Sequence, residues 1–236
     1  MSMDRRRFLA AGGLSLASAV LAACDSRGPA AAAPVLKWAM RRNEAVERVL
    51  LRHTSMDLPA TTKLAGRALP SYYIAPQPPV WNQAANGPWM LEVSGLVKRP
   101  LRIPLTELAR LRSVTQRVNH YCVEGWTATT EWTGVRMSEI ARLAGVLPDA
   151  GFVDFQSFDE GYHESWDLES AMHPQTLVVY GREGKMLRAA YGAPARVHSP
   201  IKLGYKNTKY LTKIVFMPEP NGGYWTDQRY EWFGGL

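Results

Sequence analysis

From Trp89 to Met217 the sequence is a series of short runs broken at brief intervals by turn residues, which limits the fold to small strands and small helices. "WMLEVSGLV" alternates as a strand does. "PLTELARLR" reads as a short helix, with Thr106 as N-cap, Glu107 in the first turn and basic residues at the end. "TQRVNHYC" reads as a strand running into Cys122. "RMSEIARLAGV" is a second short helix, with Ser138 as cap, Ile140 and Leu143 as apolar positions and Gly145 as its stop. "FVDFQSF", Phe152 to Phe158, is a strand that opens onto the polar loop "DEGYHES". "TLVVYGREGKML" places a turn at Gly181-Arg182-Glu183-Gly184 between two extended runs, and "PARVHSP" and "LTKIVFM" add further strands. Strands, hairpins and short helices follow one another without βαβ regularity, which predicts the α+β class.

The first 23 residues read as an address. They combine a basic start, an apolar stretch from Phe8 to Ala23 and small residues before Cys24, too short and too rich in Gly, Ala and Ser for a membrane span. Arg5-Arg6-Arg7-Phe8-Leu9 resembles a twin-arginine export signal. Leu21-Ala22-Ala23-Cys24 has the form of a lipobox, whose cysteine takes a lipid and becomes the mature N-terminus, and Asp25 after it favours the inner membrane. Ordinary cleavage near Ala23 is the alternative. The expected organisation is a leader over residues 1–23, a tether over 24–36 and one folded domain over 37–236, periplasmic and held to the membrane through Cys24. "SRGPAAAAPV" suits the tether. "NEAVERVLLRHT" sets Val46, Val49, Leu50 and His53 at helical spacing, while "LPSYYIAPQPPVWN" reads as an extended, packed loop.

Export bears on charge and on the cysteines. Losing the leader removes three positive charges and one negative, taking the net charge from +7 to +5. A basic balance favours anionic partners, and export removes nucleic acid from them, leaving an anionic cofactor, substrate or membrane surface. The twin-arginine route carries folded proteins, often with a cofactor already inserted. Of the two cysteines, lipidation consumes Cys24, which leaves Cys122 without a disulfide partner. A lone thiol in an oxidising compartment is an inert buried residue, a nucleophile or a metal ligand. In an extended segment i and i+2 share a face, so His120, Cys122 and Glu124 are expected to project together. A Cys–His nucleophile stays open on spacing alone, whereas one cysteine and scattered histidines make no zinc cluster. A redox metal that takes one protein ligand needs one cysteine only.

"CVEGWT", Cys122 to Thr127, resembles the molybdenum-ligand segment of the sulfite-oxidase superfamily of molybdopterin enzymes, nearest the branch with the periplasmic methionine-sulfoxide reductase catalytic subunit. "FQSFDEGYHESWDLESAMHPQTLVVYG" (Phe155–Gly181) resembles the family's loop, turn and following strand. "YGAPARVHSPIKLGYKNTKYLTKI" (Tyr191–Ile214) resembles its pterin-binding run, and "GGYW" (Gly222–Trp225) its closing element. The likeness covers about two-thirds of the chain, from Tyr72 to Trp225. It implies a sulfite-oxidase-type α+β fold carrying a molybdenum–molybdopterin cofactor, with Cys122 as the metal's thiolate and the pterin supplying two more sulfurs. Arg196, Lys206, Asn207, Thr208 and Lys209 match the pterin-binding stretch; Ser157 and Tyr191 stand where relatives carry other pterin contacts, and Tyr73 is the candidate from the early segment. Lys202 and Lys213 are expected on a solvated basic face, and His173 and His198 as structural residues; His163 lies on a loop that reaches toward the pocket.

The departures matter as well. Sulfite oxidases gather arginines around the metal, whereas this chain has Glu124 and Trp126 beside Cys122, and a carboxylate there repels sulfite. No haem motif of the form C-x-x-C-H is present. The expected activity is two-electron oxygen-atom transfer on a small S-oxide or N-oxide, with a membrane haem protein or c-type cytochrome as separate redox partner, in a monomer. Glu124 is expected to handle a proton at the metal's oxygen ligand and His120 to support the site from behind. Sulfite oxidation is the alternative within the fold, and a cofactor-free binding lipoprotein the alternative outside it.

Overall fold

The computed structural model describes residues 33–51 and 69–236. The expected leader, Cys24, most of the tether and His53 lie outside the described residues. Ala33–Leu50 forms helix α1, the described part of a first compact unit, and the described residues of the second compact unit are Leu51 and 69–236. The helix takes in the last four residues of the expected tether, because its Ala, Leu, Met, Arg and Glu are strong helix formers and Pro34 falls in the first turn, where its missing N–H has no helical partner to lose. The expected periodic residues Val46, Val49 and Leu50 are helical but exposed. No helix among the described residues is long and apolar enough to cross a membrane.

The second unit is α+β. Its strands in chain order are β1 (Met90–Gly95), β2 (Leu101–Pro104), β3 (Ser113–Tyr121), β4 (Thr127–Arg136) and β5 (Phe152–Ser157). They continue as β6 (His163–Asp167), β7 (Leu177–Arg182), β8 (Lys185–Met186), β9 (Arg196–His198) and β10 (Leu211–Met217). One sheet runs β2-β1-β10-β5-β6, antiparallel except for the parallel β1–β10 pair. The other runs β3-β4-β7-β8, with β9 also paired to β7. The α-helices among this unit's described residues are α2 (Gln83–Asn86), α3 (Leu105–Leu108), α4 (Met137–Ala144), α5 (Leu168–Ala171) and α6 (Tyr224–Asp227), of which only α4 exceeds four residues.

Alternation in β1 buries Leu91 and Val93. These join Phe155 and Ile214 of the same sheet, Val135 and Val178 of the other, and Met137 and Ile140 of α4 in one core that ties the two sheets together. A second cluster, built on Val118, Trp132, Leu177 and Val179, lies on the β3-β4-β7 sheet.

Local signals were partly displaced. Pro104, not Thr106, precedes α3, and the residues ahead of that helix pair as β2. Arg136 stands at the N-terminus of α4 without a side-chain cap, so Ser138 lies inside the helix, while Gly145 ends it in the left-handed conformation as expected. Strand β4 is new, since its buried positions include Thr130 and Gly134 rather than a run of large apolar residues. Part of the expected polar loop pairs as β6 against β5, burying Glu164 and Asp167.

Candidate active site

The β3–β4 hairpin carries the thiol at its tip. Cys122 N–H donates to Trp126 O (2.9 Å) and Gly125 N–H to Cys122 O (3.0 Å), with Gly125 at φ +82°, a left-handed conformation suited to glycine. Strand β3 ends at Tyr121, so Cys122 and Glu124 lie on the turn and not on one extended face with His120. All three nevertheless line one cavity of about 480 Å³. Its other walls come from the 69–74 loop, from Asp159 and Tyr162 after β5, from the stretch between Gly204 and Tyr210, and from Trp225 and Tyr230.

The thiol's surroundings suit a metal ligand better than a free nucleophile. Cys122 Sγ lies 3.8 Å from Glu124 Oε2, which also accepts a hydrogen bond from Trp126 Nε1 (2.9 Å). Burial, with the Glu124 carboxylate adding to it, pushes the Cys122 thiol up, against the opposing pull of the Glu124 N–H. Among the described residues no imidazole of ordinary basicity stands at the cavity to deprotonate it. The imidazole of His120 is buried, and desolvation together with the positive charges of Arg196 and Lys209 brings it down to about 3. Its Nδ1 is 3.3 Å from His198 Nε2, and burial holds His198 neutral as well, so the rings share one N–H. A Cβ on Gly204 would sit 2.7 Å from His120 Nε2, so only glycine lets the 204–210 stretch pack against that ring.

Two cations, Arg196 buried and Lys209 partly buried, stand at the cavity without carboxylate partners among the described residues. Arg196 is 2% exposed; its guanidinium donates to Tyr191 O (3.2 Å) and Asn207 O (3.1 Å) and lies 5.0 Å over the Trp132 ring. Lys209 Nζ donates to Tyr72 O and Ala190 O. Burial lowers Lys209 to about 7, helped by Arg196, and burial lowers Arg196 to about 10. A buried charge without a counter-ion is unfavourable unless an anion joins it. Tyr210 OH, on the cavity wall, is buried without a protein partner, as are Thr208 Oγ1, His198 Nδ1 and Trp132 Nε1 of residues that do not line the cavity. Such groups normally have a partner. A phosphorylated, hydrogen-bonding cofactor satisfies both conditions, so the donor set fits a molybdopterin.

The structure brings together Tyr73, His120, Cys122, Glu124, Arg196, Asn207 and Lys209 on the cavity, but several expected pterin contacts are otherwise engaged. Lys206 is fully buried and pairs with Glu164 at 2.6 Å. Asn207 lines the cavity, yet its side-chain amide is committed to the loop, accepting from Ser199 N–H and donating to Lys202 O and Leu203 O. Ser157 Oγ accepts from Asp159 N–H, and Tyr191 bonds Leu69 O with Arg182 over its ring. Lys202 is not on a solvated face; it is buried against Asp167 (3.1 Å) and Phe233 O (2.7 Å), whereas Lys213 is exposed. His163 bonds Asp154 (2.9 Å) away from the cavity lining, and His173 accepts from Gln175 N–H within a turn. Sequence reasoning missed Tyr162, Tyr205, Trp225 and Tyr230 as wall residues; aromatic density was their only signal. Among the described residues no three His, Cys, Asp or Glu side chains converge as a ligand set.

The chain is 45% identical over 145 residues to YedZ1 of Azospira oryzae, a subunit provisionally assigned to protein-methionine-sulfoxide reductase; the match spans 61% of this chain and 55% of that protein, about half its length. It is 29% identical over 234 residues to the protein-methionine-sulfoxide reductase catalytic subunit MsrP of Ralstonia nicotianae, covering 91% of this chain and 69% of that one. The fold is similar to that of the sulfane dehydrogenase SoxCD of Paracoccus pantotrophus, with a TM-score of 0.53 at 22% identity over 56% of this chain and 39% of that one. A model of the oxidoreductase molybdopterin-binding domain matches residues 77–225, well over half of the chain, and the chain belongs to that family.

Proposed function

We propose that this protein is a periplasmic molybdopterin oxidoreductase that reduces S-oxides, foremost the sulfoxide of methionine, with electrons delivered singly by a separate redox protein. The observation that carries the reading is one partly buried thiol at a hairpin tip, in the same cavity as buried Arg196 and partly buried Lys209, which have no carboxylate partner among the described residues. Export by the twin-arginine route and a lipid on Cys24 belong to the same proposal.

When bound, the cofactor supplies a two-electron centre competent for oxygen-atom exchange. Cys122 Sγ would hold its metal, Arg196 and Lys209 its phosphate, and Tyr210 would give its unpaired hydroxyl to it. The net reaction is R2SO + 2 e⁻ + 2 H⁺ → R2S + H2O, so protons are required at the oxygen. Glu124 keeps a carboxylate beside the thiol, and Trp126 Nε1 fixes its orientation. The neutral His120–His198 pair contributes no positive charge at the sulfur. Aromatic walls at Tyr162, Tyr205 and Trp225 exclude water and suit a neutral substrate. Sulfite, a dianion at high pH, meets Glu124 and Asp159 instead.

The full chain, made in a host that synthesises molybdopterin, should carry about one molybdenum per chain, as one thiolate serves one metal. It should reduce methionine sulfoxide with a reduced viologen. A molybdenum-loaded protein that oxidises sulfite and leaves S-oxides untouched overturns the proposal.

A further inference from the structure

Four apolar side chains stand exposed at the mouth of the active-site cavity: Tyr72 (52% exposed), Ile74 (40%), Val123 (48%) and Tyr230 (37%). One exposed apolar residue requires no explanation, but these four come from three separate stretches of chain and meet at a single opening. Three of them are held in place. Tyr72 lies against Trp126 with ring centroids 5.9 Å apart, and its carbonyl is bonded by Lys209. Val123 sits on the hairpin turn directly after Cys122, closed by the Cys122–Trp126 hydrogen bond. Tyr230 packs edge-on against Tyr205 (5.4 Å) and near Trp225 (5.0 Å).

A small free S-oxide would be swallowed by the cavity and leave this rim in water. We infer that the rim is a subsite for the residues that flank an oxidised methionine within a polypeptide, and that it selects apolar flanks over polar ones. The inference rests on the S-oxide reading above and extends it from the reacting group to the sequence around it. The sulfoxide enters toward Cys122 while its neighbours lie across Val123 on one side and Ile74 or Tyr230 on the others. An aliphatic flank then removes apolar surface from water on both partners, which a serine flank does not.

The test uses capped short peptides with one methionine sulfoxide flanked by leucine or by serine, given to the molybdenum-loaded full chain. Leucine flanks should raise kcat/KM about tenfold, the low end of what one added aliphatic contact yields in a specificity pocket. Val123→Ser and Tyr230→Ser, placed on different segments, should each bring that ratio toward unity. Binding of the matching methionine peptides (the products) to cofactor-free protein, read by tryptophan fluorescence, should show the same preference. Equal kcat/KM for the two flanks, or a preference unmoved in both variants, overturns the rim. Dimethyl sulfoxide and free methionine sulfoxide carry no flank, so failure of both, together with the peptides, as substrates overturns the S-oxide reading instead. In that case flank-independent peptide binding overturns the rim as well.

Discussion

Lys206→Met should be among the most destabilising single changes in the protein. Lys206 and Glu164 are both fully buried, 2.6 Å apart, and the carboxylate also accepts from the N–H of Trp225 at 3.1 Å. Desolvation raises Glu164 and lowers Lys206, so neither charge is at ease in its site and each depends on the other. Removing the ammonium leaves a buried carboxylate without its counter-charge, a loss of about 3–5 kcal/mol. With a urea slope of about 2–3 kcal/mol per molar for a domain of this size, the unfolding midpoint should fall by about 1–2 M. Adding Glu164→Gln removes the stranded charge and keeps an acceptor for Trp225 N–H, so the double variant should recover about 2 kcal/mol or more. The assay is urea unfolding of cofactor-free protein followed by tryptophan fluorescence. A single variant within about 0.5 kcal/mol of wild type, the span of an ordinary surface change, or a double variant less stable than the single, refutes the reasoning.

Three further outcomes follow from the site and the sheet beside it. Trp126→Phe keeps the ring and removes the donor to Glu124, and should lower kcat by about tenfold or more, as loss of an oriented proton-transfer group does; unchanged steady-state kinetics would count against a role for that carboxylate. Lys209, brought down to about 7, is increasingly protonated as pH falls below that value, so the cofactor-free protein carries the cost of its buried charge at lower pH and is relieved as pH rises from about 7 toward the unfolded value. Inorganic phosphate should therefore raise the Tm of cofactor-free protein more at acidic than at alkaline pH, and Lys209→Met should abolish the difference. Burial acts to raise Asp154, but hydrogen bonds from His163, Gln156 and Asn221 together outweigh it and hold the carboxyl low, while Asp154 in turn raises His163. The Asp154 contribution is lost as pH falls through its lowered folded pKa, and the His163 contribution as pH rises through its raised one. His163→Gln should remove the second loss, read as a flatter stability curve above the ordinary histidine range.

The strands that alternate cleanly were legible. Leu91 and Val93 alternate in β1, as do Leu211, Ile214 and Phe216 across the bulged β10, and Gly145 stops α4 where its conformation predicts. Strand β4 was not, because its inward positions include Thr130 and Gly134, small residues chosen by close packing against β7 and not by hydrophobicity. The spacing of His120, Cys122 and Glu124 indicated convergence correctly, though a turn and not an extended face achieves it.

The lysines show where local reading fails. Lys202, Lys206 and Lys209 recur within one short stretch, yet the first two are neutralised by Asp167 and Glu164 on β6, some forty residues earlier, and only Lys209 faces the cavity. Which lysine meets a carboxylate is set by sheet pairing, a long-range property. Asn207, Ser157 and Tyr191 differ in another way: their side chains are engaged with the protein's own backbone, a competition that residue type alone does not reveal.

The most direct measurement is molybdenum-edge X-ray absorption on the full chain beside Cys122→Ser, both made in a molybdopterin-producing host. Bonding of Cys122 Sγ to the metal predicts one sulfur fewer around molybdenum in the variant, or loss of the metal altogether. An unchanged sulfur count with molybdenum fully retained would show that the thiol at the hairpin tip is not the ligand.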